Sequence, residues 1–176
     1  MKKYKLTDET TDVLGITLHR VKALKDFDDV KKGELGGYVE SERNLSQAGN
    51  CWVCDNAKVC DNAKVYGNAK VYGNAWVYGN AKVCDNAWVY DNAWVCGDAM
   101  ICSDTDYMSI KGLGSEYRST TIFRTKGKNI AVRCGCFYGT LTEFVDRVKE
   151  AHGNSKYAKE YLALVDLVKI HFESEE

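Results

Sequence analysis

Nine consecutive hexapeptides occupy residues 51–104 and dictate the fold of this 176-residue chain. They read CWVCDN, AKVCDN, AKVYGN, AKVYGN, AWVYGN, AKVCDN, AWVYDN, AWVCGD and AMICSD. A strict short period with one aliphatic and one small residue in each repeat is typical of a β-helix, in which each hexad forms one side of a triangular coil. The repeat therefore predicts three coils of parallel β-helix.

Each position of the hexad has one predicted place in the coil. The aliphatic residue and the small residue two positions before it lie on one face of a strand, so both point inward and the residue between them points outward. The Gly-Asn or Asp-Asn pair that ends most hexads tolerates the positive φ of a tight corner. The corner asparagines are expected to pair their amides between neighbouring coils. They are Asn56, Asn62, Asn68, Asn74, Asn80, Asn86 and Asn92.

The outward side chains fall on three faces, because one coil contains 18 residues. The first face carries Trp52, Lys70 and Trp88, the second Lys58, Trp76 and Trp94, and the third Lys64, Lys82 and Met100. Large exposed aromatic residues are enriched at interface cores, so the four tryptophans predict a subunit or partner interface. For the stacked pair Trp76 and Trp94, cover by another part of the chain and a ligand platform are the alternatives.

The two flanks of the repeat are expected to cap the open ends of the β-helix, whose terminal coils expose unpaired backbone. Residues 1–50 show a hairpin pattern and then an irregular capping coil, in which Val39 and Leu45 approach the six-residue register. Residues 105–176 predict short strands at 107–110, 120–124 and 130–134, followed by two helices, the first opened by a capping box from Thr140 to Glu143. The predicted fold class is mainly β, with an α+β module at the carboxyl end.

Composition narrows the function classes. A formal charge of -1 argues against a general polyanion binder, and the four lysines of the repeat are offset by six aspartates, so nucleic-acid binding is disfavoured. An apolar amino-terminal run and a stretch of about 18 apolar residues are both lacking, so we expect a cytoplasmic protein without a membrane partner. Eight cysteines in such a chain are expected to be free thiols. Cys84 and Cys102, although neighbours in the coil, are predicted to be reduced, and we predict neither a metal nor a cofactor.

A glycine turn after Tyr107 is the best candidate for binding a small ligand. Glycine amides, a hydroxyl and arginine side chains can together hold a phosphate or a similar anion. The segment KGLGS lacks the spacing of a P-loop, and a solvated hairpin explains it equally well. The candidate residues are Lys111, Gly112, Gly114, Ser115, Arg118 and Arg124.

The tripeptide Cys134-Gly135-Cys136 is a weak signal for metal or redox chemistry, and we favour structural packing for it. A nucleophilic role for Cys136 with His152 requires a fold that brings them together and an acid that orients the histidine. We therefore assign no catalytic residue.

The hexads resemble those of left-handed β-helix proteins, which are commonly homotrimers and whose best known members are acyltransferases and γ-class carbonic anhydrases. That resemblance implies histidines on the coils, but His19, His152 and His171 all lie outside the repeat. The flanks LGGYVESERNLS and CGCFYGTLTEFVDRVKEAHG resemble small hexapeptide-repeat proteins of bacteriophages and prophages, which implies interference with a host pathway from within the host cytoplasm.

Three functions are open at this point. The favoured one is a non-catalytic homotrimer that binds a host protein or sequesters a small anionic, nucleotide-like signalling molecule. The alternatives are an acyltransferase-like enzyme with an unusual site and a purely structural or assembly protein.

Overall fold

The computed structural model describes residues 1–173, and its centre is a parallel β-solenoid of about four turns. Each hexad contributes one strand of two residues. These strands are β4 (Trp52–Val53), β5 (Lys58–Val59), β6 (Lys64–Val65), β7 (Lys70–Val71), β8 (Trp76–Val77), β9 (Lys82–Val83), β10 (Trp88–Val89), β11 (Trp94–Val95) and β12 (Met100–Ile101). They pair in the orders β4-β7-β10, β5-β8-β11 and β6-β9-β12, so the three predicted faces are confirmed.

The interior of the solenoid contains the residues that the repeat predicts. All the aliphatic residues from Val53 to Ile101 have no solvent exposure, and the small residues from Cys51 to Ala99 are at most 1% exposed. The corners carry the positive φ on the residue before each asparagine, for example 51° at Asp55 and 70° at Gly67. The tight corners and the inward slots together explain why the period is strict.

The asparagine ladder is confirmed at two of the three corners. The amide of Asn62 donates to Asn80 at 3.3 Å, and that of Asn68 donates to Asn86 at 3.0 Å. At the third corner Asp55 accepts a hydrogen bond from the Gly73 amide at 3.0 Å, and Asp61 accepts one from Gly79 in the same way at the corner of Asn62, at 2.9 Å.

The amino-terminal flank forms an antiparallel hairpin and then the irregular coil. Strands β1 (Tyr4–Val13) and β2 (Ile16–Ala23) pair with each other, and β2 also pairs with β3 (Leu35–Val39). Strand β3 pairs in parallel with β5 and places Val39 beside Val59, while Leu45 bridges to Val65. The predicted first coil is therefore present, and its hairpin extends one sheet of the solenoid.

The carboxyl-terminal flank is a four-stranded antiparallel sheet followed by two helices. Its elements are β13 (Tyr107–Leu113), β14 (Arg118–Arg124), β15 (Ile130–Cys134), β16 (Phe137–Thr140), α1 (Leu141–His152) and α2 (Lys156–Phe172). The sequence prediction missed β16, a short strand interrupted by a glycine. The capping box of α1 is confirmed, since the Glu143 carboxylate accepts from the Thr140 amide at 2.7 Å and the Thr140 hydroxyl accepts from the Glu143 amide at 3.2 Å.

This four-stranded sheet lies between the last coil and the helices. Consecutive residues of a strand point to opposite faces, and Phe123 packs into the solenoid core while Ile122 packs against the helices. The α1 and α2 residues Phe144, Val148, Leu164 and Val168 complete that second core. Thr125 also bridges to Ala99, so the sheet covers the open end of the solenoid.

The expectation that all cysteines are free thiols is wrong for one pair. Cys84 and Cys102 form a disulfide between β9 and β12, with their Cα atoms 4.5 Å apart. The 18-residue period makes the two residues direct neighbours on adjacent coils, which brings their Sγ atoms within bonding range. Among residues 1–173, the other six cysteines are free. Within the same range, neither α1 nor α2 is long and apolar enough to cross a membrane.

Candidate functional site

The four tryptophans of the outward slots have very different environments. Trp52 is only 1% exposed, because Tyr4 and Phe27 of the amino-terminal flank pack against its ring at centroid distances of 6.1 and 5.4 Å. The expectation that Trp52 is exposed is therefore wrong. Trp88, in the same slot two coils later, remains 45% exposed and contacts Tyr72 at 5.8 Å.

Lys70 lies between these two tryptophans and is 4% exposed. Its ammonium forms ion pairs with Asp28 and Asp29, at 2.6 Å from Asp28. Burial disfavours the charged ammonium, but the hydrogen bonds that it donates to both carboxylates outweigh this cost and raise the pKa of Lys70. This charge cluster anchors the loop that covers the first face, and the first face is thus closed at one end and open at the other.

Trp76 and Trp94 are in contact on the second face, with ring centroids 5.4 Å apart. Both are half-buried and have partners within the chain. The Trp76 indole nitrogen donates to the Cys60 sulfur at 3.3 Å, and the Arg133 guanidinium lies 5.2 Å from the Trp94 ring centre. Arg133 also donates to the Tyr78 hydroxyl at 3.0 Å, which joins the carboxyl-terminal sheet to this face of the solenoid.

A cleft of about 500 Å³ opens where this second face meets the turn between β13 and β14. It contains the tryptophan of the last coil and two of the basic residues that the sequence proposes for anion binding. Its lining residues are Asn92, Trp94, Lys111, Glu116, Tyr117, Arg118, Ser119 and Gly135. The structure therefore unites two groups that the sequence treats as separate sites.

Arg118 occupies its position because Gly135 leaves room for it. A Cβ at residue 135 would lie 2.6 Å from the Arg118 Nη1 atom, and Gly135 has a φ of +56°. Among residues 1–173, Glu116 supplies the one carboxylate of the cleft lining, 3.7 Å from Arg118, and both side chains of this pair are more than half exposed. With Lys111 on the opposite strand, the cleft has a net charge of one positive unit.

The predicted glycine cradle is not part of this cleft. The Gly114 amide donates to the Glu160 carboxylate at 2.9 Å, so a group of the chain already occupies the position predicted for an anion. Ser115 lines a neighbouring pocket, and Gly112 is exposed with a φ of +98°. The sequence identified the turn, but α2 supplies the acid that saturates its amide.

Arg124 lies at the opposite end of β14 from Arg118, about 20 Å away at the usual rise of a strand. It contacts Asp106 at 3.6 Å and donates to the Phe172 carbonyl oxygen at 3.1 Å. Arg124 therefore fastens α2 and does not join Lys111 and Arg118.

Three residues of the cleft were missed by the sequence analysis. Asn92 is a corner residue of the repeat, Glu116 lies in the turn before β14, and Tyr117 has a positive φ of 51° and an exposed ring. Their convergence depends on how the sheet packs on the last coil.

A second, smaller pocket of about 200 Å³ adjoins the cleft and shares Arg118 with it. Cys136 and His152 both line this pocket, as do Cys134 and Arg147. The fold therefore brings together the two residues that a nucleophilic role requires.

Comparisons with known proteins agree with the repeat architecture. A family model described as the YdcK beta solenoid repeat matches residues 63–79. A similar protein of Escherichia coli (strain K12), named uncharacterized acetyltransferase YdcK, is 35% identical over 63 residues, which is 31% of this chain. The chain covers only 19% of that relative's length. The fold and the matched repeat define a β-solenoid protein of the hexapeptide-repeat type.

Proposed function

We propose that this β-solenoid protein binds a small anionic ligand with a planar ring, of nucleotide type, in the cleft between Trp94 and Arg118. One observation supports the proposal above all others. An aromatic ring from the last coil and two basic side chains from the next strands, Lys111 and Arg118, line one cleft of about 500 Å³. That volume is within the range of small-molecule sites.

The chemistry of the lining suits such a ligand. An indole or phenol ring offers a surface on which a base can stack, and Trp94 and Tyr117 supply two such rings. A guanidinium group binds phosphate oxygens through paired hydrogen bonds, while a lysine adds a point charge. Glu116 pairs with Arg118 only at the surface, where ion pairs are worth about 0–1 kcal/mol, so a phosphate can replace it.

We further propose that the protein acts without catalysis as a homotrimer in the cytoplasm. The flanking sequences resemble those of phage proteins, and on that ground the ligand would be a signalling molecule of the host, or a host protein would dock at the same surface. Trp88 is the tryptophan with the largest open surface in the outward slots, and it supports a subunit contact on the first face.

Acetyl transfer is the alternative suggested by the name of the Escherichia coli relative. The family-model match lies at residues 63–79, a stretch of the repeat without histidine, and therefore transfers no catalytic group to this chain. Turnover of an acyl-coenzyme A by the purified protein would favour this alternative over binding alone.

The binding proposal is tested by calorimetric titration with a panel of ribonucleoside mono-, di- and cyclic phosphates. At least one should bind the wild-type protein, and Arg118→Ala should weaken it by about tenfold, the effect of losing one charge-assisted hydrogen bond. Arg124→Ala is the matched control, because it removes the same charge from the far end of β14 and should leave affinity unchanged. Equal losses in both variants, or no binding by any member of the panel, would refute the proposal.

A further inference from the structure

The pocket beside the proposed cleft gathers two thiols, an imidazole and two guanidinium groups. We propose that it is a site of thiol–disulfide exchange, at which Cys136 is modified by a small anionic disulfide of the glutathione type. The two proposals share Arg118, but this one depends on the Cys136 thiol and on a covalent product, so it can fail or hold independently of the ligand proposed for the cleft.

Strand β14, the turn between β15 and β16, and helix α1 supply the reactive and charged side chains of the pocket. Strand β14 contributes Arg118, the turn contributes Cys136, and α1 contributes Arg147 and His152. The floor is apolar and consists of Phe137, Phe144 and Val148. A polar rim over an apolar floor suits a peptide-like molecule whose methylene groups and charges are separated.

Cys136 is the reactive candidate because of its place in the hairpin. Cys134 and Phe137 pair directly, so Gly135 and Cys136 form a two-residue loop, and the positive φ of Gly135 suits such a loop. This position at the tip of the hairpin exposes the Cys136 side chain to solvent. Among the six free cysteines of residues 1–173, Cys136 is the exposed one.

Cys134 differs from Cys136 although the two are separated by a single glycine. The Thr120 hydroxyl donates to the Cys134 sulfur at 3.2 Å, and the Tyr161 hydroxyl lies 3.7 Å from it. Burial, together with the neighbouring Cys134, raises the pKa of Tyr161, which therefore stays protonated and donates to the Leu113 carbonyl oxygen at 3.3 Å. Cys134 is thus a packed side chain in a hydrogen-bond network.

The charges around the pocket select an anionic reagent. Arg118, Arg147 and Glu116 line it, which leaves one net positive charge, and the partners of the two arginines are Glu116 at 3.7 Å and Glu150 at 2.8 Å. All four side chains of these pairs are more than half exposed. Exposed ion pairs contribute about 0–1 kcal/mol, so the carboxylates of an incoming disulfide can exchange with those of the chain at little cost. His152 completes this wall, its ring stacked on Tyr161 with the centroids 5.8 Å apart.

The exchange step needs no further reactant. The Cys136 thiolate attacks one sulfur of the disulfide, the original sulfur–sulfur bond breaks, and the second half leaves as a thiolate. One half of the reagent is thereby reduced to a free thiolate, and Cys136 is oxidised to the mixed disulfide with the other half. An excess of reduced thiol reverses the step by the same route.

The experiment treats the full chain with oxidised glutathione and follows the intact mass, with peptide mapping of the product. We expect one glutathionyl group, located on Cys136, and its absence in Cys136→Ser. Cys54→Ser removes a half-buried free thiol and is the matched control that should still be labelled. Label on other free cysteines at a rate equal to that of Cys136 would overturn the proposal.

A second arm tests the role of the arginines. Wild-type protein should react about tenfold faster with oxidised glutathione than with the uncharged 2-hydroxyethyl disulfide, after correction for the intrinsic rates measured with a free cysteine peptide. Arg147→Ala should reduce this preference without lowering the rate of reaction with the uncharged disulfide. Arg147 is an exposed helical residue, so the variant should keep the wild-type melting temperature. An unchanged preference would show that exposure alone governs Cys136 and would refute a built site.

Discussion

Trp52 and Trp88 occupy the same slot of the same face, two coils apart, and yet one is 1% and the other 45% exposed. Their strands have the same length and both pair in parallel with β7, so the solenoid itself does not distinguish them. The difference comes from the amino-terminal flank, whose Tyr4 and Phe27 cover only the first coil. The repeat therefore determines the direction of a side chain, and the flanks determine whether solvent reaches it.

The inward slots show the opposite behaviour. Val53 and Val89, next to these tryptophans, both have no solvent exposure. An inward residue is covered by its own coil and by the coils on either side, which the repeat supplies at every level. The comparison therefore predicts that inward substitutions have uniform effects along the solenoid, while outward substitutions depend on the flanks.

The largest effect is expected from a charge in an inward slot. Val77→Asp places a carboxylate in the middle of the solenoid, among the buried alanines and valines of the inward slots. We expect a loss of about 5 kcal/mol or more in the free energy of unfolding, measured by urea denaturation. Lys64→Asp introduces the same carboxylate in an exposed outward slot and is the control. Equal stability of Val77→Asp and wild type would contradict the uniform interior.

The two tryptophans provide the direct test of the comparison. Trp52→Ala should lower the free energy of unfolding by about 3–5 kcal/mol, because it removes a fully buried aromatic ring. Trp88→Ala should lower the free energy of unfolding of the subunit by less than about 1 kcal/mol, since the Trp88 ring is partly exposed to water. Denaturant titrations of both variants at equal subunit concentration measure the difference.

The same pair of variants tests the proposed trimer. The mass from light scattering should correspond to three chains for the wild type and to one chain for Trp88→Ala. A wild-type mass of one chain would contradict the proposed subunit contact on the first face. Similar losses of stability in the two variants would show that the flank does not distinguish the two coils.

A smaller effect is expected at the opposite end of the solenoid, where the disulfide between Cys84 and Cys102 joins the last two coils. The double variant Cys84→Ser and Cys102→Ser should lose up to about 3 kcal/mol, the loop-closure value for a crosslink that spans 18 residues. Thermal unfolding under non-reducing conditions measures this, and added reductant should have little effect on the variant. An equal response of variant and wild type to reductant would argue against the crosslink.

Sequence analysis predicted the parts of the fold that are determined by local spacing. The Thr140 capping box and the three faces depend on residues that are three or eighteen positions apart, and both are present. The strand β16 was missed because its four residues, Phe137–Thr140, show too few alternations to stand out. It is stabilised mainly by pairing with β15.

The candidate site was predicted only in part. Lys111 and Arg118 were identified as basic residues near a glycine turn, and Trp94 as an exposed aromatic residue, but nothing in the sequence places them together. Gly114 is not available to a ligand because its amide donates to Glu160, which is 46 residues away in α2. Such long-range contacts leave no periodic trace in the chain.

The sequence by itself determined the solenoid, its three faces and the inward residues, because a strict period of six repeats the same local geometry at every level. Only the tertiary structure decided which outward residues are covered, that Cys84 and Cys102 are joined, and that Trp94 shares a cleft with Arg118. The disulfide forms within the solenoid, whereas the cover of the outward residues and the cleft depend on how two aperiodic flanks pack on the ends of the solenoid. That packing is selected by the shape and burial of side chains far apart in the chain, which local spacing does not encode.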